Sequence, residues 1–560
     1  MQLVPKAFIP SQKQALTTLG LLGILLLLVY GRSLGFGFVD WDDKLLIVEN
    51  PIVHSFTPAT IKEAFTSYDP ELYIPLTLVG YQLDHLFVGL HPFLYHLENL
   101  AFHLLNSALV AWFVLLLTGR RWVAAVTALL FAVHPLHTEA VVWASSRKDV
   151  QAACFFLLSL IAYQLFRAGG EKRLYRYSVL ALLLALLSKV IAITLPLILL
   201  LLDWREGRKI DRANLREKLP FFVLSILFGV IALGGKYGSD ELVAEKLLIG
   251  SKAVVFYLGK LLLPAGLSVL YPYTEPPSLT NIGLLVPFFL VIAITILAWK
   301  SSRKTREILF AWLFFLITVA PTFSNFARGK DLLKDIYFAS DRYTYLPSIA
   351  AFFLAALLLH RLLHKRAQIV QGLIAVLVVL FSFQAYAQSL TWENSETLFT
   401  NVLEHYPNSH LAHNNLGSLR YREGKEEEAL QHYLQSLAIR PNSQASYNLG
   451  QLYSAAGQTL EAMRAYRDAL KNRPDDVPTL VNLGVLEMRA GDLPRAIGHL
   501  KQARDLDPVS TFVHYNLGAA YEVQGNIEEA VGSYRRVLEL DPEDAEVSEI
   551  LQRLELKNGA

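Results

Sequence analysis

A series of apolar stretches, each close to the ~20 residues that cross a bilayer as a helix, fills the first 390 of the 560 residues. A soluble core cannot bury so many of them, so they predict an all-α, polytopic membrane domain. Eleven transmembrane helices are expected, at 14–34, 93–118, 122–140, 150–167, 175–188, 190–202, 219–235, 282–299, 307–323, 343–364 and 367–389. The run at 248–263 is shorter and is followed by Pro264, so we expect it to be re-entrant or interfacial.

The distribution of Lys and Arg predicts the orientation of these helices. The positive-inside rule assigns clusters of basic residues to the cytoplasmic side. All the clusters can lie there only if 175–202 is a hairpin that turns at Lys189. The N-terminus is then cytoplasmic, and the chain after 390 is extracytoplasmic, at a plasma or inner membrane. Residues 1–34 are typical of an uncleaved signal anchor, with a cleaved signal peptide as the alternative.

Charge divides the chain at the same place. Residues 1–390 carry a net charge of +11 and residues 391–560 a net charge of −9, within a total of +2. Charged residues make up 18% of the chain, against about 25% in soluble proteins, which excludes an ordinary soluble enzyme. The single cysteine, Cys154, excludes an internal disulfide and a zinc site built on thiolates. No nucleic acid is expected as a partner.

The acidic block repeats itself every 33 or 34 residues. An Asn-Leu-Gly triplet recurs in each unit, and a proline closes it. This is the tetratricopeptide pattern, in which two antiparallel helices form each repeat. We therefore expect a multi-span membrane domain at 1–390 and a repeat domain at 391–560. The latter comprises a half repeat at 395–407, four repeats at 408–541 and a C-terminal helix at 543–556.

A solenoid of such repeats exposes a concave groove. We expect an extended segment of a protein partner to bind there, although a purely structural stack of helices is the alternative. The candidate groove residues are the asparagines of the four triplets, Asn415, Asn448, Asn482 and Asn516.

Acidic residues follow the first apolar run at Asp40, Asp42 and Asp43. A solvated turn is one interpretation. A carboxylate held at the membrane surface is also suited to act as a general base on a substrate that arrives from water. Polar residues on the run 93–118 predict contact with a cavity or with a partner helix.

Further polar residues lie near the external ends of the runs. The candidates for holding a phosphate or a sugar are Arg147, Lys148, Lys189, Arg342, His134, His137 and Glu139. For the cations the alternatives are anchoring to lipid head groups and pairing with nearby carboxylates. His134, His137 and Glu139 are also candidate metal ligands, but Pro135 breaks the helix between them, so we favour hydrogen bonding or packing and predict no metal site.

These external segments resemble those of the GT-C glycosyltransferases. The matching segments are Trp41-Asp42-Asp43, His134-Pro135-Leu136-His137-Thr138-Glu139-Ala140-Val141, Ser146-Arg147-Lys148-Asp149, Leu187-Ser188-Lys189 and Asp341-Arg342-Tyr343-Thr344-Tyr345-Leu346-Pro347. With the eleven runs and the repeats, the chain is most similar to the TMTC-type transmembrane and tetratricopeptide-repeat proteins and their bacterial relatives.

The resemblance implies transfer of a hexose, usually mannose, from a polyprenyl phosphate to Ser or Thr of a secreted or envelope protein. It implies that Asp42 is the base of an inverting reaction and that Asp43 supports it. It leaves open whether a divalent cation takes part. Many bacterial relatives have Arg before the proline of Tyr73-Ile74-Pro75, where this chain has Ile74, so the donor phosphate must be held by other cations.

Two other classes of function compete with this one. A non-catalytic, membrane-anchored scaffold for envelope assembly would need the repeats but not Asp42, and it would need one span rather than eleven. A transporter is less favoured, because the membrane block shows no division into two similar halves of the kind that transporters often have.

Overall fold

The computed structural model describes residues 11–69, 72–235, 243–273, 280–325 and 336–558. These residues form two compact units. The membrane unit comprises the described residues up to 325 together with 336–405, and the repeat unit comprises 406–558. The predicted half repeat, which forms a helix at Ser395–His405, therefore packs with the membrane unit.

The described part of the membrane unit is almost entirely helical. Its α-helices are α1 Gln12–Tyr30, α2 Pro58–Thr66, α3 Pro75–Val88, α4 Phe93–Thr118, α5 Arg121–Val133, α6 Thr138–Val142, α7 Arg147–Gly169, α8 Lys172–Ser188, α9 Leu195–Arg205, α10 Arg212–Gly234, α11 Val243–Leu262, α12 Ile282–Ser301, α13 Arg306–Val319, α14 Ser348–Ser389 and α15 Ser395–His405. Two short strands, β1 Pro272–Tyr273 and β2 Ile336–Tyr337, pair antiparallel.

Seven helices of the described residues are long and apolar enough to cross a membrane. They are Lys13–Gly35, Phe93–Thr118, Ala144–Gly169, Arg212–Gly234, Ile282–Ser301, Arg306–Phe323 and Arg366–Trp392. An eighth results if α5 and the segment Pro135–Val142, which meet at a bend of 57°, count as one span. The eleven predicted runs are all helical, but the remaining three are shorter: α8 has 17 residues and α9 has 11, and the third is Ser348–Leu363.

Local breaks explain why these helices are short. Lys189 follows α8 in an extended conformation (φ −162°, ψ 132°), and a 3₁₀ turn over Val190–Thr194 leads into α9. Pro196 is the second residue of α9, in the first turn, where its missing N–H leaves no helical hydrogen bond unmade. Arg366 has non-helical angles (φ −147°, ψ 54°) inside α14, so the predicted runs on either side of it form two helices joined at a kink.

The repeat unit contains paired antiparallel helices, as the periodicity predicts. Its helices are α16 His410–Arg422, α17 Glu426–Ile439, α18 Ser443–Ala455, α19 Thr459–Asn472, α20 Val477–Arg489, α21 Leu493–Leu506, α22 Thr511–Gln524, α23 Ile527–Leu540 and α24 Ala545–Asn558. The first eight form four pairs, and α24 covers the last pair, with Val547, Leu551 and Leu554 in the same apolar core as Tyr534.

The glycine of each Asn-Leu-Gly triplet lets the two helices of a repeat approach closely. A Cβ on Gly450 would lie 2.6 Å from the ring of Tyr466, and one on Gly417 would lie 2.7 Å from the ring of Tyr433. Both rings are buried in the cores of their repeats. The recurring glycine is therefore required by packing rather than by backbone conformation.

We predict that Gly450→Ala destabilises the repeat unit by about 1–3 kcal/mol, because the added methyl group overpacks the contact with Tyr466. Gly498→Ala is the matched control, since Gly498 lies inside α21 with no atom within 4 Å of the position of a Cβ. Helix propensity should make that variant slightly more stable. Urea unfolding followed by limited proteolysis of the full chain measures both, and equal midpoints would contradict the packing argument.

Candidate active site

The segment from residue 134 to residue 149 carries most of the predicted site and is broken in two places. α5 ends before His134, a 3₁₀ turn leads into the five-residue α6, and a second 3₁₀ turn at Ala144–Ser146 leads into α7. Each break releases carbonyl groups from helical hydrogen bonds. Where water is absent, these carbonyl groups need hydrogen-bond donors from elsewhere in the protein.

Side chains from neighbouring elements supply these donors. The carbonyl oxygens of four successive residues, 142 to 145, each accept a side-chain hydrogen bond. The donors are His96 Nδ1 (2.8 Å), Asn99 Nδ2 (2.8 Å), Tyr81 Oη (3.1 Å) and Lys148 Nζ (2.8 Å). Two of these residues lie on α4, so the polar residues predicted to meet a cavity or a helix hold the broken segment in place.

Asp43 attaches the loop after α1 to the same segment. Its carboxylate is buried and accepts hydrogen bonds from the backbone N–H of Val39 at 3.0 Å and of Ser145 at 2.9 Å, and from the hydroxyl of Ser145. Burial raises the pKa of Asp43 to about 6, although these hydrogen bonds act in the opposite direction. Asp43 is therefore an anchor rather than a group that meets a substrate.

Asp42, the predicted base, lies beside this anchor and remains accessible. Its side chain is 37% exposed, and its Oδ2 lies 3.4 Å from Nζ of Lys148. On either side of it the loop is fixed, since the backbone N–H of Asp40 donates to Ser395 Oγ and Trp41 packs edge-on against Phe399. The arrangement presents one carboxylate, next to one ammonium group, at a rigid surface.

Three of the predicted cations form a cluster at this place, which we call the cation cluster: Lys148, Lys189 and Arg342. Each has a carboxylate partner, because Lys148 contacts Asp42, Lys189 Nζ lies 2.6 Å from Asp149, and the side chain of Arg342 pairs with Glu139. The backbone N–H of Arg342 also donates to Glu139 at 3.0 Å. Three positive and three negative charges leave these pairs neutral.

Two aromatic rings connect the members of the cation cluster. Lys148 and Arg342 lie 5.2 Å and 5.0 Å from the ring centroid of Trp143. Lys189 and Arg342 lie 5.7 Å and 5.0 Å from that of Tyr343. The rings favour cations on their faces and hold the three groups close to one another. Such a set can stabilise negative charge that develops on a phosphate leaving group.

The structure places Arg147 outside this cluster, which corrects its prediction as a phosphate ligand. Its side chain is 1% exposed and forms ion pairs with Asp84 and Glu98. It also donates to the carbonyl oxygen of Tyr95 at 3.1 Å and lies over the ring of Tyr81. Adjacent residues at the start of α7 thus have different roles, with Arg147 as an internal anchor and Lys148 at the site.

His134 and His137 are buried, and their ring nitrogens have partners inside the protein. His134 contacts the carbonyl oxygen of Leu261 and the N–H of Leu136, at 3.2 and 3.3 Å. His137 contacts the carbonyl oxygen of Phe131 and the hydroxyl of Ser348, at 2.7 and 2.9 Å. Neither ring is exposed to solvent, which favours packing over contact with a substrate. The described residues contain no group of three or more His, Cys, Asp or Glu side chains suited to a metal ion.

In the repeat unit, the predicted groove asparagines make hydrogen bonds within the array. Asn448 donates to Asn414 at 2.9 Å and to Ser418 at 3.1 Å, which joins two successive repeats. Asn415 and Asn516 donate to carbonyl groups one turn earlier in their own helices, and Asn482 donates to the hydroxyl of Tyr447. A nearby cavity of about 160 Å³ is lined by Ser443, Gln444, Tyr447, Arg473, Asp476 and Pro478.

Comparison with known proteins gives matches to repeat models, to curated proteins and to solved structures. Models of the tetratricopeptide repeat match residues 408–475, 447–511 and 481–545. Among curated proteins, mouse protein O-mannosyl-transferase TMTC1 is 39% identical over 147 residues, which cover 24% of this chain and 16% of that protein. Human TMTC2 is 38% identical over 119 residues, covering 21% and 14%. Tmtc2 of Drosophila melanogaster is 31% identical over 221 residues, covering 36% and 23%.

Matches to these curated relatives therefore span less than a quarter of the relatives' own lengths. Solved structures that match part of this chain include MamA, with 21% identity and a TM-score of 0.25 over 27% of this chain and 90% of MamA. The tetratricopeptide-repeat protein YrrB has 17% identity and a TM-score of 0.26, over 35% of this chain and 97% of YrrB.

We predict that the stability difference between the wild type and Asp43→Asn depends on pH. The folded protein holds the proton of Asp43 with a pKa of about 6, against 3.8 for an ordinary aspartate. Protonation of Asp43 adds on the order of 3 kcal/mol to the free energy of unfolding below pH 4. This contribution is lost as the pH rises through 6. Thermal unfolding of both proteins between pH 4 and pH 7 measures the difference, and parallel curves would contradict the assignment.

We also predict that Arg147→Met lowers stability by about 3–5 kcal/mol, because it leaves the buried carboxylate of Asp84 without a partner. The double variant Asp84→Asn/Arg147→Met should recover most of this loss, since no unpaired charge then remains. Thermal unfolding of the purified protein tests both. If the single variant unfolded like the wild type, Arg147 would not be an anchor.

Proposed function

Starting from this partial relationship to the protein O-mannosyl-transferases, we propose that the chain is an integral membrane glycosyltransferase. It transfers a hexose, mannose by the names of its relatives, from a polyprenyl-phosphate donor to Ser or Thr of a protein. The observation that carries the proposal is the exposed carboxylate of Asp42, 3.4 Å from Lys148 in the cation cluster. A base beside a set of cations is what transfer from a sugar phosphate requires.

The reaction needs one proton transfer and one displacement. The acceptor hydroxyl oxygen forms a bond to the anomeric carbon while the bond from that carbon to the phosphate oxygen breaks. Asp42 takes the hydroxyl proton, and Lys148, Lys189 and Arg342 stabilise the charge on the departing phosphate. With a single base and no covalent intermediate, the acceptor oxygen attacks the face of the sugar opposite the phosphate, so the proposed reaction inverts the configuration, as in inverting glycosidases.

Asp43 supports this step indirectly. It fixes the loop that carries Asp42 to Ser145, and Ser145 in turn accepts the hydrogen bond of Lys148. The base and the nearest cation are therefore held against the same three-residue turn. Such preorganisation is worth several kcal/mol in an active site.

The repeat unit is the proposed site for the protein acceptor. Tetratricopeptide arrays bind extended segments in their groove, and the cavity beside Tyr447 offers both Arg473 and Asp476 to a peptide. The proposed orientation has a cytoplasmic N-terminus and an extracytoplasmic repeat unit. It is supported by the net charge of +11 on the membrane block, which is concentrated in the loops assigned to the cytoplasm.

We expect Asp42→Asn to fold normally and to lose transfer by about 10²–10⁴-fold, the usual contribution of a general base. Glu49→Gln is the control, because Glu49 is an exposed carboxylate of the same loop that pairs only with Lys44 among the described residues. Mass spectrometry of Ser- and Thr-linked hexose on secreted proteins measures activity. Full activity of Asp42→Asn would refute the assignment, and loss of partner assembly without loss of hexose would favour the scaffold.

A further inference from the structure

Helix α11 combines an apolar exterior with charged residues. It has 20 residues, as many as α12, yet it is not among the helices apolar enough to cross the membrane. Leu247, Leu262 and Leu263 expose more than half of their surface. Lys252 lies near the middle of the helix and is half-buried. The exposed surface of α11 is therefore apolar enough to contact lipid, and Lys252 lies partly exposed on the same helix.

Lys252 differs from the other cations of the membrane unit that lie near the site. Its ammonium group is 5.4 Å from the ring centroid of Tyr273 and 5.3 Å from that of Phe338. Across the described residues it has no hydrogen bond and no ion pair, whereas every member of the cation cluster contacts a carboxylate. Aromatic faces alone offset only part of the cost of removing an ammonium group from water.

A second lysine of α11, Lys260, has both aromatic contacts and hydrogen-bond acceptors within the protein. Lys260 lies over the rings of Phe256 and Tyr271 and also donates to the carbonyl oxygens of Ala265 and Gly266. Phe256 packs against Tyr271 and against Phe338, with centroids 4.7 and 5.1 Å apart. The two lysines therefore flank one aromatic surface, and Lys252, unlike Lys260, has no hydrogen-bond acceptor among the described residues.

This aromatic surface is continuous with the candidate active site. Tyr273 and Phe338 belong to or adjoin the β1–β2 ribbon. Four residues after Phe338 comes Arg342 of the cation cluster, and the hydroxyl of Tyr271 donates to Asp341 at 2.8 Å. A molecule bound at Lys252 would thus lie along the segment that leads to Arg342.

We propose that Lys252, Tyr273 and Phe338 form an entry site, separate from the cation cluster, for the phosphate of an isoprenoid lipid, with the apolar chain packed against the rings and α11. From there the phosphate moves along the chain segment to Arg342 and the other members of the cation cluster, where transfer takes place. An anion provides the charged partner that Lys252 does not have in the described part of the chain, and the flat rings and exposed leucines accept a long, branched hydrocarbon. The inference rests on the proposed function in identifying the lipid, but the site is assigned from the unpaired cation and the aromatic surface.

The test measures binding rather than turnover. Full-length protein in phosphatidylcholine nanodiscs is titrated with undecaprenyl phosphate and, separately, with undecaprenol, which lacks the phosphate. Lys252→Met should weaken binding of undecaprenyl phosphate by about tenfold or more, the value of one charge-assisted hydrogen bond, and Lys252→Arg should restore it. Lys246→Met makes the same charge change on the same helix and should leave binding unaltered.

Three outcomes would overturn the inference. They are equal binding by Lys252→Met and the wild type at an unchanged unfolding temperature, equal binding of undecaprenol, and equal displacement by phosphatidylglycerol. The last would assign the site to a phospholipid head group. Binding that depends on Lys252 in a protein that transfers no hexose would refute the proposed function and leave this site standing. If Lys252→Met transferred hexose with an unchanged KM for the lipid donor, the proposed function would stand and this binding site would be refuted.

Discussion

The candidate active site depends on how the broken helix between α5 and α7 satisfies its carbonyl groups. A continuous helix would satisfy them internally, but it could not turn Lys148 towards Asp42. His96 and Asn99 of α4 and Tyr81 of α3 supply the missing donors, and Asp43 fixes the same segment from the loop after α1. In surroundings with little water, such interactions are hard to exchange, so the segment has one favoured geometry.

The sequence was sufficient to predict the elements but not their partners. Apolar runs and the 34-residue period determine helices through local composition, and the structure has a helix at each run. The roles of Arg147 and Lys148 could not be separated in this way, because both are cations at the start of one helix. Which of them is buried depends on Asp84 and Glu98, and these approach only through the packing of α3 and α4 against α7.

The same limit applies to the histidines and to the predicted spans. The spacing of His134 and His137 makes them candidate metal ligands, but their actual partners, Leu261 of α11 and Ser348 of α14, lie more than 100 residues away in the sequence. The count of eleven spans treated each apolar run as a full crossing. α9 is shortened by the turn after Lys189 and by Pro196, and the membrane unit therefore contains helices of unequal length around the site.

The one-to-one pairing of the cation cluster with Asp42, Asp149 and Glu139 has a consequence for the end of a catalytic cycle. A site with surplus positive charge would hold a free phosphate product more tightly than the donor, since the product carries one more negative charge. If the chain catalyses the proposed transfer, each cation can pair again with its own carboxylate once the phosphate has left and Asp42 has released the proton that it took from the acceptor. A site that is neutral at rest would then hold the phosphate product weakly, which favours turnover over product inhibition.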